Sequence, residues 1–245
     1  MEGMIYLTGD THGDIDIGKI TTRSWPLQKE LTRDDYLIVC GDFGAVWSGD
    51  RKDDYLLKWH ENKTYTTLWV DGNHENFDAL SEYPVVQWHG GKVQLIRPHV
   101  IHLMRGQIYN IGGKTFFTFG GGLSIDRADR KEGRSWWPQE APSEEEIEEA
   151  RNNLAAHHHQ VDYVISHAAP QSVLWNHLPC RKAVMRLECP CEIFLEGVLR
   201  QVKYKAWFCG HYHLDTDVEE MRVRVLYREI VELDSYEPSI SRTDL

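Results

Sequence analysis

LWVDGNHE, residues Leu68–Glu75, is the stretch that decides the fold predicted from this sequence. Its apolar, strand-favouring start ends abruptly at Gly72, and Asn73, His74 and Glu75 follow directly. A short apolar run bounded by a turn residue is typical of a buried strand. In open α/β sheets, binding sites lie at the carboxyl ends of the strands. We therefore expect the three polar side chains to face a functional site.

Four other apolar runs end in the same way, with Asp or His just after a predicted strand. Two of them precede the central stretch and two follow it. Any one such ending is more often structural than functional, but five in one chain form a pattern. The polar residues that follow the four runs are Asp10 and His12, Asp42, His167, and His211 and His213.

Around these runs the sequence predicts an α/β fold with two packed sheets. Up to Val70 the strands alternate with helical segments, Asp14–Thr22 and Asp50–Asn62, so a parallel sheet is expected. Between Val85 and Gly122 short strand-like runs leave no room for helices, which predicts a second, mainly antiparallel sheet packed on the first. We expect Arg222–Leu233 to add strands to that second sheet.

We predict a single domain over residues 1–245, with an irregular insertion near residues 178–191 and a loose C-terminal tail. Ser143–Glu146 has the pattern of a capping box and therefore opens a helix. Residues 124–141, just before it, form a long irregular loop. The cysteines of the insertion lack the usual spacing of a zinc knuckle and are interpreted as reduced thiols. They are Cys180, Cys189 and Cys191.

The composition is that of a globular protein with an acidic balance. Hydrophobic residues make up 41%, and 27 Lys and Arg against 38 Asp and Glu give a formal charge of −11. This charge disfavours extended nucleic acid as a partner, whereas a small phosphoester stays compatible because bound cations reverse the local field. No run approaches the roughly 18 apolar residues of a membrane span, so no membrane partner is expected. The acidic N-terminus MEGMIYLTGD lacks signal-peptide features, and we expect a cytoplasmic protein.

The polar residues at the strand ends offer carboxylate, imidazole and amide ligands without an obvious thiolate. Such a set suits borderline or fairly hard ions, among them Mn, Fe and Zn. Eight candidate residues exceed what one ion needs. A site with two ions and a shared carboxylate is therefore the economical interpretation.

The five blocks resemble the ordered signature of the calcineurin-like metallophosphoesterases, and they span most of the chain, from Asp10 to His213. The resemblance implies two packed mixed β-sheets flanked by helices, in a four-layer α/β/β/α sandwich. It also implies that Asp42 bridges two ions and that His74, which is not a ligand, contacts the phosphate and protonates the leaving oxygen. The ligands implied for the first ion are Asp10, His12 and His213. Those implied for the second are Asn73, His167 and His211.

Two features depart from the family pattern. Many members have an Asp three residues after the bridging Asp, where it orients the catalytic His, but this chain has Ala45 there. What orients His74 is therefore left open. The Asp-Arg-Gly of the Ser/Thr protein phosphatase branch is also missing, which disfavours that branch.

A replacement for the phosphate-binding Arg of that branch is expected in the 124–141 loop. Three arginines there are candidates for a forked contact with a phosphate oxygen. The alternative is that they are solvated charges paired with the acidic residues of the same loop. The candidates are Arg127, Arg130 and Arg134.

The function expected from the resemblance is metal-dependent hydrolysis of phosphodiester or phosphomonoester bonds by attack of a metal-bridging hydroxide. The cofactors would be two divalent or mixed-valence ions of Mn, Fe or Zn, with Mn favoured. The substrate would be a small phosphoester, with nucleotides among the candidates. Two alternatives are a nuclease acting on DNA or RNA ends and a non-catalytic interaction module of the same fold. The oligomeric state is left open.

Overall fold

The structure is a computed structural model that describes residues 3–179 and 188–236. Within these residues the strands form two mixed sheets that pack face to face. Apolar side chains from both sheets fill the space between them, for example Leu68 from the first and Phe208 from the second. Helices cover the outer faces, so the four-layer α/β/β/α sandwich predicted from the sequence is confirmed.

The helices are divided between the two outer faces. The first two pack on the first sheet through Leu56, Leu57 and Leu80, and the other three pack on the second sheet. Asp50 caps the first helix by accepting a hydrogen bond from Lys52 N. In the part of the chain that the structure describes, no helix has the length and apolar character needed to span a membrane. The helices are α1 (Arg51–Glu61), α2 (Phe77–Ser81), α3 (Glu144–Ala156), α4 (Gln171–His177) and α5 (Pro190–Gln201).

The first sheet is built around three neighbouring parallel strands, as the start of the chain predicts. These are β1, β2 and β3, and the fourth parallel strand, β6, pairs with β3 through Thr67 and Val100. Antiparallel strands complete both edges. The order across the sheet is β13 (Ile230–Glu232), β1 (Ile5–Thr8), β2 (Tyr36–Val39), β3 (Thr66–Trp69), β6 (Val100–Leu103), β5 (Gly91–Arg97) and β4 (Val85–Trp88).

The second sheet has four neighbouring parallel strands with an antiparallel strand on either side. The parallel set is β12, β10, β9 and β8. The order across this sheet is β11 (Thr216–Val218), β12 (Val223–Val225), β10 (Ala206–Cys209), β9 (Tyr163–Ser166), β8 (Lys114–Phe119) and β7 (Ile108–Ile111).

The sequence prediction assigned several strands to the wrong sheet, and the expectation of a mainly antiparallel second sheet was wrong, because the four central strands of that sheet are parallel. Only β7 and β8 of the Val85–Gly122 region belong to the second sheet, whereas β4, β5 and β6 extend the first. At the end of the described chain, β12 lies in the second sheet but β13 pairs antiparallel with β1 in the first. The runs are apolar in either sheet, so their composition does not reveal which partner strand they bury against.

Helix boundaries also differ from the prediction in three places. Asp14–Thr22 contains only a 3-10 turn at Ile17–Ile20, and α4 was not expected at all. Helix α5 begins at Pro190, so Cys191 lies in a helix and not in an irregular insertion, while Cys180 lies outside the described residues. The capping box at Ser143 is confirmed, because its side chain accepts from Glu146 N and the Glu146 side chain accepts from Ser143 N.

Candidate metal centre

The polar residues that follow β1, β2, β3, β9 and β10 come together at one edge of the two sheets. Asp42 links them, since its Oδ2 lies 3.2 Å from His12 Nε2 and its Oδ1 lies 3.5 Å from His167 Nε2. Parallel neighbouring strands place their carboxyl ends side by side, which explains how loops far apart in sequence meet here. All eight predicted block residues, the seven ligand candidates and His74, lie in this cluster.

Three of these residues form what we call the outer group: Asp10, His12 and His213. One ligand atom from each lies within 4.8 Å of the other two. His213 Nε2 is 3.2 Å from Asp10 Oδ2, and the His213 side chain is 49% exposed. The outer group therefore faces solvent on one side.

Three others form what we call the inner group: Asn73, His167 and His211. His167 Nε2 lies 3.1 Å from Asn73 Oδ1 and 3.1 Å from His211 Nδ1. The His167 side chain is completely buried. It also lies within reach of both carboxylates, Asp10 and Asp42. Asn73 and His167 are thus part of the protein interior, and His211 is half-buried beside them.

The donor atoms of both groups fit a metal site. Asp10 Oδ2 is buried and makes no hydrogen bond with the described residues, although buried carboxylate oxygens are normally satisfied. Carboxylate, amide and imidazole ligands match Mn, Fe or Zn. An orphaned oxygen within a cluster of imidazoles is therefore consistent with a cation held at this place.

Glycines that precede the candidate ligands make the close approach possible. A Cβ on Gly41 would lie 2.0 Å from His167 Nδ1, one on Gly72 would lie 2.0 Å from Asp42 Oδ1, and one on Gly210 would lie 2.2 Å from Asp10 Oδ1. Each glycine thus leaves room for a ligand that belongs to a different loop. Only Gly41 of the three has a positive φ, so close approach, and not a sharp turn, is the general reason for glycine at these positions.

Backbone strain is also concentrated at the cluster. Non-glycine residues rarely adopt positive φ angles, and where they do the cost must be met by the surrounding structure. Four residues of the candidate centre do so: His12 (44°), Asp42 (45°), His211 (70°) and His213 (52°). Strain of this kind is typical of functional sites.

The local field keeps the carboxylates ionised. Burial alone would raise the pKa of Asp42, but the field of His167 and the hydrogen bond from His12 outweigh it and lower that pKa. For Asp10, the His213 imidazole at 3.2 Å and the field of His167 likewise outweigh burial and lower the pKa. Desolvation lowers the pKa of His211 to about 3, so its imidazole is neutral at pH 7. Carboxylate and neutral imidazole are the forms that bind metal ions.

Two residues that the sequence analysis missed support the outer group. Asp16 accepts a hydrogen bond from His12 Nδ1 (2.7 Å), which leaves Nε2 facing Asp42. The Tyr227 hydroxyl donates to the other oxygen of Asp16 (3.0 Å), and its ring stacks on His213 with centroids 4.6 Å apart. Asp16 lies one helical turn after His12 in the sequence and could have been found by that spacing. Nothing in the sequence indicates Tyr227.

The inner group has a different kind of support. His167 Nδ1 donates to the carbonyl oxygen of Cys40 (2.9 Å), which leaves Nε2 facing the cluster. Asn73 Nδ2 donates to Ser124 Oγ (3.1 Å), and its Oδ1 then points to His167. Partners that fix the tautomer and orientation of ligands are a regular part of metal sites.

Glu75 was expected to face the functional site, but it is buried and ties two of the strand-end loops together. Its carboxylate accepts hydrogen bonds from Phe43 N (2.7 Å) and Gly44 N (3.4 Å), just after Asp42. Burial raises its pKa well above the usual range. Behind the same strand end, Asp71 accepts two hydrogen bonds from the buried Arg105 (2.6 and 2.9 Å).

His74 lies beside the cluster and contacts a residue of the long loop. Its backbone N donates to Asp42 Oδ1 (2.7 Å), and its ring packs edge-on to His12. Arg130 approaches both ring nitrogens, with Nη1 at 3.0 Å from Nδ1 and Nη2 at 3.3 Å from Nε2. A neutral imidazole has one acceptor nitrogen, so only one of these contacts is a hydrogen bond. Desolvation and the nearby Arg130 charge both lower the pKa of His74.

Only one of the three candidate arginines reaches the centre. Arg130 is held by Asp126, which accepts two hydrogen bonds from it (2.8 and 2.9 Å). It contacts His74, to which the methyl side chain of Ala45 can offer no hydrogen bond. Arg127 is exposed and lies over the ring of Trp136, and Arg134 is exposed. Trp137 is buried and donates to Asp78, so this aromatic pair packs the loop onto the domain.

A sandwich of two sheets with carboxylate, amide and imidazole ligands at its strand ends defines the class of metal-dependent hydrolases. Residues 3–215 match the family described as calcineurin-like phosphoesterase. The chain belongs to this family, which confirms the resemblance and implies metal-dependent hydrolysis of phosphoesters.

No curated protein matches the chain. Among solved structures, a protein of unknown function from Aquifex aeolicus is 17% identical, with a TM-score of 0.31. That match covers 80% of this chain and 94% of the other.

Proposed function

We propose that the protein hydrolyses small phosphoesters with two divalent metal ions, of which Mn is the favoured one. The observation that carries the proposal is the position of Asp42. Its two oxygens face different groups, Oδ2 toward His12 of the outer group and Oδ1 toward His167 of the inner group. A carboxylate with this arrangement can be shared by two cations.

The outer group would hold one ion and the inner group the other, with Asp42 common to both. When bound, such a pair lowers the pKa of water and polarises the phosphoryl oxygens. The carboxylates of Asp10 and Asp42 and the neutral imidazole of His211 are already in the protonation states that this binding needs.

His74 and Arg130 would act on the substrate itself. His74 would protonate the leaving oxygen, a step that commonly contributes about 10²–10⁴-fold to the rate. Arg130 would donate to a phosphoryl oxygen, since a guanidinium binds phosphate through paired N–H donors. The proximity of their side chains, 3.0 Å at the nearest, supports a common substrate for both.

The non-catalytic alternative is disfavoured by the same geometry. A binding module of this fold would be expected to have lost ligands or the catalytic His, whereas this chain has all eight residues in one cluster. The acidic composition continues to disfavour extended nucleic acid and leaves a nucleotide or another small ester as substrate.

The test compares the wild-type protein with two variants, each loaded with Mn and assayed on an aryl phosphodiester and an aryl phosphomonoester. Asp42→Asn should lose both ions and all turnover, because it removes the shared charge. His74→Asn should keep two equivalents of metal in elemental analysis and lose about 10²–10⁴-fold in kcat. Equal metal loss in both variants would contradict the role of His74. Inactivity of the wild type with Mn, Fe, Zn and Ni would contradict the function.

A second test asks whether Arg130 acts by direct contact with the substrate or only through the positive charge of its loop. Arg130→Ala should reduce kcat/KM about 10–100-fold, the usual effect of losing a hydrogen bond to a charged group. Arg134→Ala removes the same charge from an exposed position in the same loop and serves as the matched control. Equal losses in the two variants would mean that only the general field of the loop matters.

A further inference from the structure

A cavity of about 400 Å³ lies beside the candidate metal centre, and we call it the side cavity. Its volume falls within the range of small-molecule sites. The loop after β1 and the loop after β2 build its walls, and His12 and His74 form the wall nearest the centre. The side cavity therefore opens directly onto the group that is proposed to protonate the leaving oxygen.

The lining of the side cavity favours an uncharged, apolar ligand. Ile15, Trp47 and Leu56 contribute apolar surface, and Ile15 is 78% exposed although it is a large aliphatic residue. Among the described lining residues away from His12 and His74, the one cation is Lys52, and it is paired with Asp14 at 2.9 Å. A further anionic group on the ligand would thus meet carboxylates without a free positive partner.

The wall that carries Trp47 is fixed before any ligand arrives. The buried Asp53 carboxylate accepts hydrogen bonds from Trp47 N (2.7 Å), Gly49 N (2.8 Å) and Ser48 Oγ (2.9 Å). The Trp47 ring packs edge-on against Trp137, with centroids 5.5 Å apart. Because this wall is already ordered, binding of a ligand does not have to pay conformational entropy to order it.

His74 also lines another cavity, of about 420 Å³, which contains the centre itself. Asp42, Asn73, His211 and Arg130 are among the residues of that cavity. With the phosphoryl group bound there, one ester arm of the substrate can extend past His74. The side cavity lies on that path.

We propose that the side cavity binds the leaving alcohol of the substrate and that this alcohol is uncharged and apolar, with an aromatic ring as the best fit. This inference rests on the proposed function. In the reaction a water oxygen loses a proton to solvent and forms the new bond to phosphorus, and the bond from phosphorus to the alcohol oxygen breaks. The electron pair stays on the alcohol oxygen, which takes the proton from His74, and His74 then regains a proton from solvent. The products are the alcohol and phosphate, or the alcohol and a phosphomonoester where the substrate is a diester.

The first test measures kcat/KM for phenyl and 2-naphthyl phosphates, each as the monoester and as the methyl diester. The two leaving groups have similar acidity and differ in apolar area. The wild type should prefer the naphthyl ester by about fivefold, from burial of the second ring. Ile15→Lys should bring this ratio close to one, and Val85→Lys should not change it. Val85 is the matched control because it is also exposed, at 51%, and lies on the edge strand β4.

The second test needs neither metal nor turnover. Binding of 2-naphthol to the metal-free protein is measured by calorimetry, and Ile15→Lys should weaken it at least fivefold relative to wild type and Val85→Lys. An unchanged naphthyl preference together with unchanged naphthol binding in Ile15→Lys would overturn the inference. A wild type that binds naphthol but cleaves no ester would instead count against the proposed function.

Discussion

The outer and inner groups of the candidate metal centre are supported in different ways. The outer group borders solvent, and side chains hold it, with Asp16 bonded to His12 and Tyr227 stacked on His213. In the inner group Asn73 and His167 are buried, and the His167 ring is fixed by the backbone carbonyl of Cys40, directly after β2. The outer group therefore reaches the surface at His213, whereas the inner group is anchored in the core at His167.

This difference teaches that similar ligands in one centre need not have similar structural importance. An inner residue such as His167 contributes to the packing and hydrogen bonding of the fold, whatever it contributes to metal binding. The exposed outer residue His213 would contribute mainly to metal binding. We expect the outer ion to exchange more readily, because solvent reaches it through the exposed His213.

The largest difference is expected between His167→Ala and His213→Ala. Both should lose an ion, but only the first should destabilise the metal-free fold, by about 2–4 kcal/mol. It leaves a cavity and a buried carbonyl, that of Cys40, without its donor. His213→Ala should stay within about 0.5 kcal/mol of wild type, as is usual for exposed positions. Urea unfolding in the presence of a chelator measures both values, and equal destabilisation would contradict the distinction.

A smaller effect is expected from Tyr227, which supports the outer group alone. Tyr227→Ala should lower the affinity for the outer ion about 10–100-fold, the usual effect of losing a hydrogen-bond partner of a metal ligand. Tyr227→Phe keeps the ring on His213 and loses only the bond to Asp16, so its effect should be milder. Calorimetric titration with Mn resolves the two ions, with the exposed Tyr55→Ala as control. An equal loss of affinity for both ions would show that the effect of Tyr227 is not confined to the outer group.

The smallest effect on the metal centre is expected from His60, which lies outside both groups and packs against Phe43, next to Asp42. Burial lowers the pKa of His60 to about 3, with help from the Lys63 charge. The unfolded chain binds the proton near pH 6.5 and the folded chain does not, so this residue costs stability as the pH falls from 6.5 toward 3. The loss is about 1.4 kcal/mol per pH unit.

His60→Leu should therefore flatten the decline of the free energy of unfolding in that pH range, while Mn binding at pH 7.5 stays within about twofold of wild type. Urea unfolding at several pH values measures the slope. His157→Leu, at the exposed end of α3, is the control for loss of an imidazole. A slope equal to that of wild type would mean that His60 is protonated in the folded protein.

Much of the fold and the cluster could be predicted from local pattern. A strand that ends in Asp, Asn or His, usually after a Gly, is visible in the sequence, and five such endings located Asp10, Asp42 and the other members of the cluster. The sheet to which β6 or β13 belongs could not be predicted, because an apolar strand carries no record of its partner.

The supporting residues show the same limit. Arg130 could not be separated from Arg127 and Arg134, because the three share a loop and a chemistry and differ only in where the loop folds. Tyr227 contacts Asp16 across 211 positions of sequence, and no local pattern encodes that contact. Sequence pattern thus identifies ligands more readily than the residues that hold them.

The glycines beside the candidate ligands have a consequence for how this centre tolerates change. Residues 41, 72 and 210 offer no donor atom, yet each stands where an ordinary side chain would strike a ligand from another segment. These three glycine positions supply no ligand atom, yet they tolerate substitution as poorly as the positions of the candidate ligands. The five segments are mutually fitted, and one cannot be exchanged for a foreign sequence without redesigning its neighbours.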